Sequence, residues 1–348
     1  SDTRSAGAQL ALHWTLFDGF SMFVDQERYD ALAVLGEARA RNTIERTVVT
    51  IAAAYFTLVR QTRLLETFET TLDISRTRYE KESVRRELGG SASNYLTARI
   101  AFHNDSIMVL EQRLQLTTAQ QELNLLLGRS PDEPLAVDRG IDIPDIPWSP
   151  ERMREMARAR NADLLVAREG LNVATTTAGL SRSAFYPRVD LFANYGYTDR
   201  LVSTAPNERF EGDITTQSAD GAVGLSFSFN LFNGFRNTTE VQNAVIAKRQ
   251  AALALDEAEK QLDARLHERY ATVRMRLDAI AIEELNLDAA RQNLALQLER
   301  FETGTVTSLE FRDAQLQFVR AETAWIVSLY EARIAVLELQ RLIGDLRF

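Results

Sequence analysis

Cysteine is absent from the 348 residues, and with it any disulfide framework or thiolate metal site. Histidine is scarce: His13, His103 and His267 lie far apart and share no ligand spacing, and His267-Glu268 lacks the second histidine of a zinc-protease helix. There is no glycine-rich phosphate loop and no nucleophile elbow, so nothing in the chain calls for an enzyme, a cofactor or a metal. No apolar run approaches the ~18 residues of a membrane-spanning helix, and the opening Ser1-Asp2-Thr3-Arg4 is not a signal peptide. Basic residues are outnumbered 40 to 49, and the resulting net charge of −9 argues against nucleic acid as a partner. An apolar fraction of 45% with 26% charged residues nevertheless suffices to bury a core.

What is present is a repeat. Leu16-Phe17-Asp18-Gly19-Phe20 returns 215 residues later as Leu231-Phe232-Asn233-Gly234-Phe235, and at the same offset Tyr55 meets Tyr270, Arg76 meets Arg291 and Gly89 meets Gly304. One residue later in register, Ala98 meets Ala314, Ala119 meets Ala335, Glu122 meets Glu338, Leu126 meets Leu342 and Gly128 meets Gly344. The chain therefore reads as one domain, 1–348, of two structural repeats. The first, 9–128, is a strand, a long helix and a return helix. An extended connection with a short helix covers 129–160. The second repeat, 161–344, is a helix, two strands, a long helix and a return helix.

Leu255, Ala258, Leu262, Leu266, Tyr270, Val273, Leu277 and Ile280 recur at spacings of three and four, and Leu287, Ala290, Leu294, Leu298 and Phe301 resume the series. That is the mark of coiled-coil helices. Only seven prolines occur, none of them in 21–87 or 236–303. Each of these spans predicts a nearly continuous helix of about 100 Å, packed antiparallel against its return helix. Gly89-Gly90 and Gly304 suit the C-terminal caps. Three stretches alternate as strands: 9–16 (Leu10, Leu12, Trp14, Leu16), 189–197 (Val189, Leu191, Ala193, Tyr195, Tyr197, with Phe192 breaking the other face) and 223–231 (Val223, Leu225, Phe227, Phe229, Leu231). Nine to eleven alternating residues match a transmembrane barrel strand, and equally a sheet with one face on a core. Residues 199–220, with Thr204-Ala205-Pro206-Asn207, suit an exposed loop. Trp14, Tyr195 and Tyr197 fit either an interfacial aromatic girdle or core packing. Pro131, Pro134, Pro144, Pro147 and Pro150 make the connection extended, Ser149-Pro150 opens a short helix, and a further helix is expected over 162–186 before Pro187.

These features together resemble the TolC outer-membrane efflux family across essentially the whole chain. The carriers are the two Leu-Phe-Asp/Asn-Gly-Phe joints, Asn161-Ala162-Asp163-Leu164, Tyr186-Pro187 before a strand, and Phe301-Glu302-Thr303-Gly304-Thr305. The resemblance implies a mainly α fold with short β, in which tandem coiled-coil hairpins join transmembrane-type strands in a TolC-like α/β barrel. It implies a homotrimer in the outer membrane with a large periplasmic portion. Its partners would be outer-membrane lipid, a periplasmic adaptor (membrane fusion) protein and an inner-membrane RND or ABC transporter, in an efflux or type I secretion system. A protomer of the family supplies four strands, whereas this chain shows three. The helix and strand matching 162–198 are expected upstream of Ser1, along with any signal or lipid anchor. A chain so shortened is expected to be a monomer or irregular oligomer rather than a trimeric duct.

The resemblance also implies that the hairpin tips are the functional end, with Gly89, Gly90, Gly304 and Thr305 at the adaptor-docking turns and Gly19 and Gly234 at the strand–helix joints. Counting from Gly304, Glu310 and Asp313 fall on two acidic ring positions, although both also suit a helix N-terminus. Phe301, Val306 and Asn94 stand where the family's best-known member has a tyrosine, an arginine and an aspartate of a polar gating link. That link is therefore not expected here, and Arg86 is placed to form a different one with Glu310. A periplasmic adaptor and a structural coiled-coil protein are the alternatives. They are disfavoured because the hairpin occurs twice and each copy joins an amphipathic strand.

Overall fold

The computed structural model describes residues 2–138, 140–203 and 214–346. In chain order these form β1 (Asp2–Asp18), α1 (Ser21–Glu87), α2 (Ala92–Leu126), α3 (Pro150–Arg160), α4 (Ala162–Leu180), β2 (Arg188–Ser203), β3 (Ile214–Ser228), α5 (Arg236–Glu302) and α6 (Ser308–Ile343). Both proline-free spans are single helices of 67 residues. The chain forms two compact units, residues 1–38 with 166–257 and residues 39–165 with 258–348. This division runs across the sequence repeats rather than between them, because each repeat's long helix contributes to both units.

The first unit contains an antiparallel sheet of order β1-β2-β3. Leu10 pairs with Tyr195, Leu12 with Ala193 and Trp14 with Leu191, and Ala193 and Leu191 pair in turn with Val223 and Leu225. Directly paired residues share a face, so the apolar sets of all three strands merge into one surface, and Leu10, Trp14, Tyr195, Val223, Leu225 and Phe227 on it are exposed. On the other face Phe192 lies over Gly224, where an added Cβ would meet the ring at 2.8 Å. The strands are 15 to 17 residues long, not nine to eleven. Pairing continues through polar residues such as Asp199 with Gln217, so 199–203 and 214–220 are strand rather than loop. Backbone ladders do not require the apolar alternation that was used to set the strand ends. Thr204-Ala205-Pro206-Asn207 lie outside the described residues, and β3 stops at Ser228, before Phe229 and Leu231.

Both strand–helix joints use the same backbone. Gly19 and Phe20 have φ of 70° and 67°, Gly234 and Phe235 have 67° and 65°, and Phe17–Phe20 and Phe232–Phe235 each meet edge-on at 5.2 and 5.5 Å. The expected helix over 162–186 is shorter than the pattern implied. α4 ends at Leu180 and Ser181–Phe185 form a 3-10 turn. The Ser181 and Ser183 hydroxyls donate back to the Ala178 and Leu180 carbonyls, which competes with the helical ladder just where Pro187 forbids its continuation.

The second unit contains two antiparallel helical hairpins. In the first, Leu58 of α1 packs with Ala119 and Leu123 of α2, Gln112 donates to Gln61, and Tyr79 stacks on Phe102 at 5.5 Å. In the second, Arg269 pairs with Glu338, Arg276 with Glu331, and Phe301 stacks on Phe311 at 5.2 Å. Val59, Leu64, Ile326 and Tyr330 join α1 to α6, with Val137 and Ile141 of the proline-rich connection laid over them. Asn161 explains its motif: its side chain donates to the Leu342 carbonyl and accepts from the Leu164 N–H, while Asp163 accepts from Asn42 and Arg341. This ties the start of α4 to the end of α6.

Candidate functional site

Four helices of the second unit end or begin at the two hairpin turns. Each long helix closes with a glycine in the left-handed region, Gly89 at φ 95° and Gly304 at φ 76°. At the first turn Gly89 and Gly90 donate to the Arg86 and Arg85 carbonyls, and at the second Gly304 and Thr305 donate to those of Phe301 and Arg300. This six-to-one plus five-to-two pattern satisfies the last carbonyls of a helix while reversing the chain. Ser91 and Thr307 then cap α2 and α6 by accepting from the Asn94 and Glu310 N–H groups.

The residues singled out at the tips have these surroundings. Glu310 completes a capping box: its carboxylate accepts from the Thr307 N–H at 2.7 Å and the Thr307 hydroxyl at 2.8 Å. Asp313, one turn on, is exposed and accepts from Gln317 at 2.7 Å. Phe301 is buried against Phe311. Arg86 does not reach Glu310. Its guanidinium lies 4.6 Å from the centre of the Tyr95 ring, because Glu310 turns back onto its own helix start. Asn94 sits in the first turn of α2, exposed.

The Thr307 contacts hold the Glu310 carboxyl below its ordinary value of 4.5. A folded-state value lower than the unfolded one means that the cap contributes above pH 4.5 and is lost as pH falls through the depressed value. Relative to the intrinsic exchange rate at each pH, amide protection at Ser308 to Phe311 is therefore expected to fall on acidification, and Glu310→Ala should show the lowered protection already at neutral pH. Equal protection in the two proteins, unchanged with pH, would rule out the cap.

A buried polar cluster centres on Ser75 and Asp105, about four turns from the first hairpin turn, and on Arg312 and Gln315, about one to two turns into α6. Along α1 the apolar positions Leu58, Val59 and Leu64 are followed, from Leu64 onward at three–four spacing, by buried Thr67, Thr71, Ser75, Arg78 and Glu82. From α2 Asp105, 1% exposed, faces this stripe, and from α6 come Arg312 and Gln315. Arg312 grips Asp105 in a two-pronged pair, Nη1 to Oδ2 at 2.6 Å and Nη2 to Oδ1 at 2.7 Å. Ser75 donates to the same carboxylate, and Gln315 bridges the Thr71 carbonyl at 3.1 Å and the Ser75 hydroxyl at 3.3 Å. Glu82 is held by Arg85 at 2.9 Å. One network thus crosses three helices of both hairpins in a setting where charge–charge contacts are weakly screened. Sequence reasoning singled out none of these residues. The available signal was the three–four series in α1 continuing with polar residues where apolar ones are the rule. Among the described residues no group of three histidines or acids is placed to hold a metal ion.

Residues 153–345 match the model of the family described as "Outer membrane efflux protein". Among individual proteins, the chain is 23% identical over 325 residues to the alkaline protease secretion protein AprF of Pseudomonas aeruginosa, covering 90% of this chain and 64% of AprF. It is 29% identical over 247 residues to the outer membrane protein OprJ of the same organism, covering 67% of this chain and 48% of OprJ. The chain thus spans between about half and two thirds of these curated relatives. Its fold resembles the open-state MtrE outer membrane channel of Neisseria gonorrhoeae, with a TM-score of 0.78 at 16% identity, over 99% of this chain and 80% of that one.

Proposed function

The chain belongs to the outer membrane efflux protein family, and from that premise we propose that it serves in the protomer of a homotrimeric export duct across the outer membrane and periplasm. The observation that carries this reading is the single apolar face shared by β1, β2 and β3, exposed on β1 and β3 and half-buried on much of β2, with a 67-residue helix following each joint. Such a face suits lipid, with the polar face toward a lumen. That no helix among the described residues is long and apolar enough to cross a membrane is compatible with this, since the proposed spanning elements are strands.

The helices support the trimer. On α2, Leu96, Ile100, Ile107, Leu110 and Leu114 form an exposed stripe at coiled-coil spacing, and on α5 Met275, Ile282, Leu285 and Leu296 form another. Stripes of this kind are covered by neighbouring helices, and copies of the same chain supply them. A periplasmic adaptor docking at the Gly89-Gly90 and Gly304-Thr305 turns and an inner-membrane RND or ABC transporter complete the proposed assembly. A periplasmic adaptor or structural coiled coil would leave the apolar sheet face without a use.

At the entrance, Asp313 with its two symmetry mates makes a ring of carboxylates that favours cations. Glu310 adds to it but also caps α6, so Asp313→Asn is the cleaner probe. In planar bilayers the full-length Asp313→Asn protein is expected to lose several-fold in cation-over-anion preference with conductance retained. Unchanged selectivity would remove Asp313 from the entrance, and a protein that stays soluble without detergent would refute the duct.

A further inference from the structure

Arg78 is 3% exposed, and none of its three guanidinium nitrogens has a hydrogen-bond partner among the described residues. It is one α1 turn from Ser75, which donates to Asp105, and one turn from Glu82. Both Asp105 oxygens are already taken by Arg312, and Glu82 is held by Arg85. Burial and the like charge of Arg312 pull the Arg78 pKa down to about 10, against the favourable fields of Glu82 and Asp105. It therefore stays charged at neutral pH. A buried charge without a partner is among the least favourable arrangements a core can hold, and a leucine or methionine would fill the place with less penalty. The charge becomes favourable only in an arrangement that gives it a carboxylate.

We propose that Arg78 is the reserve partner of Asp105: when α6 withdraws Arg312 from α1 and α2, the Asp105 carboxylate pairs with Arg78 instead. Asp105 is the acceptor of choice because its present partner comes from a different hairpin, whereas the partner of Glu82 is on its own helix. Arg78 also lines a groove of about 410 Å³ with Ile74, Leu298, Phe301 and Phe311, which gives its side chain and the start of α6 room to rearrange. Two guanidinium groups competing for one carboxylate make a two-position contact between the hairpins, the kind of element from which a switching entrance is built. Arg78 is in this sense a positioning residue. The proposal rests on the duct reading only for the expectation that the α5–α6 hairpin moves against α1–α2.

The test is a double-mutant cycle on the full-length protein in detergent, read as the denaturation equilibrium of Arg312→Met, Arg78→Met and the double variant. Arg78→Met alone is expected to leave the folded fraction unchanged or raise it. The double variant should lose about tenfold more in the folded-to-unfolded ratio than the two singles multiplied together, because Asp105 then has no cation left. Multiplicative single effects would overturn the proposal. Arg78→Lys in the Arg312→Met background should restore part of the loss, which a packing role for Arg78 would not do, and absence of rescue would count against it. If Arg312→Met fails to fold, the uncharged polar Arg312→Gln takes its place in the cycle. Absence of channel conductance from the unaltered protein would sink the duct reading and leave the result of the cycle intact.

Discussion

Asp105→Ala is expected to destabilise the hairpin pair by about 3–5 kcal/mol, the range for breaking a buried ion pair from one side. Arg312, whose side chain is 11% exposed, loses its carboxylate, and the buried Arg78 loses the favourable field of Asp105. Ser75 loses its acceptor as well. The exposed pair Arg113–Glu69 is the control, since its side chains are 59% and 43% exposed. Solvent screens such a pair, and Glu69→Ala should cost about 0–1 kcal/mol. Urea denaturation followed by helical circular dichroism measures both, and a loss near 1 kcal/mol for Asp105→Ala would show that the network carries little of the hairpin's stability. The asymmetry has a structural consequence. Apolar residues in place of the whole network would hold the hairpins at least as firmly. Placing polar residues at this end, while Leu58, Val59, Leu64, Ile326 and Tyr330 hold the other part of the same unit, makes the tip-proximal contact the one that can be exchanged.

Gly19→Ala and Gly234→Ala are expected to differ although the two residues occupy matching positions with φ of 70° and 67°. At either site a side chain in the left-handed region costs about 1–2 kcal/mol. At Gly234 the new Cβ meets nothing within 4 Å, so that is the whole effect. At Gly19 it meets the Ser183 carbonyl oxygen and the Tyr186 Cβ, both at 2.6 Å, and the 3-10 turn ahead of β2 must shift. Overpacking of this kind adds about 1–3 kcal/mol. Gly19→Ala should therefore lower stability by roughly 2–5 kcal/mol, and it should also disturb the β1–β2 end of the sheet. Thermal denaturation of the two variants side by side decides the matter. Equal losses would mean that the turn before β2 yields without penalty.

Periodicity and the repeat were enough to define the helices, because a helix of 67 residues is set by local spacing, by the absence of proline within it and by a glycine at its end. Ser21–Glu87 and Arg236–Glu302 agree with the spacing to within a residue. The faces of the strands were legible for the same reason, since apolar alternation is a local property. Their ends were not, because polar residues pair along a ladder as well as apolar ones do. The end of α4 depended on two serine hydroxyls competing with the backbone. At the tips, residue identity placed Glu310 and Asp313 at the start of α6, but only the fold committed Glu310 to Thr307 and turned Arg86 onto Tyr95. Asp105, Arg312 and Arg78 are 27 to 234 residues apart, and which carboxylate meets which guanidinium depends on the register of helices packed side by side. The sequence by itself determined long coiled helices, a duplicated hairpin and an amphipathic sheet, because each follows from spacing along one element. Only the tertiary structure decided the polar contact between the hairpins, because a buried charge takes its partner from whichever helix the packing brings beside it.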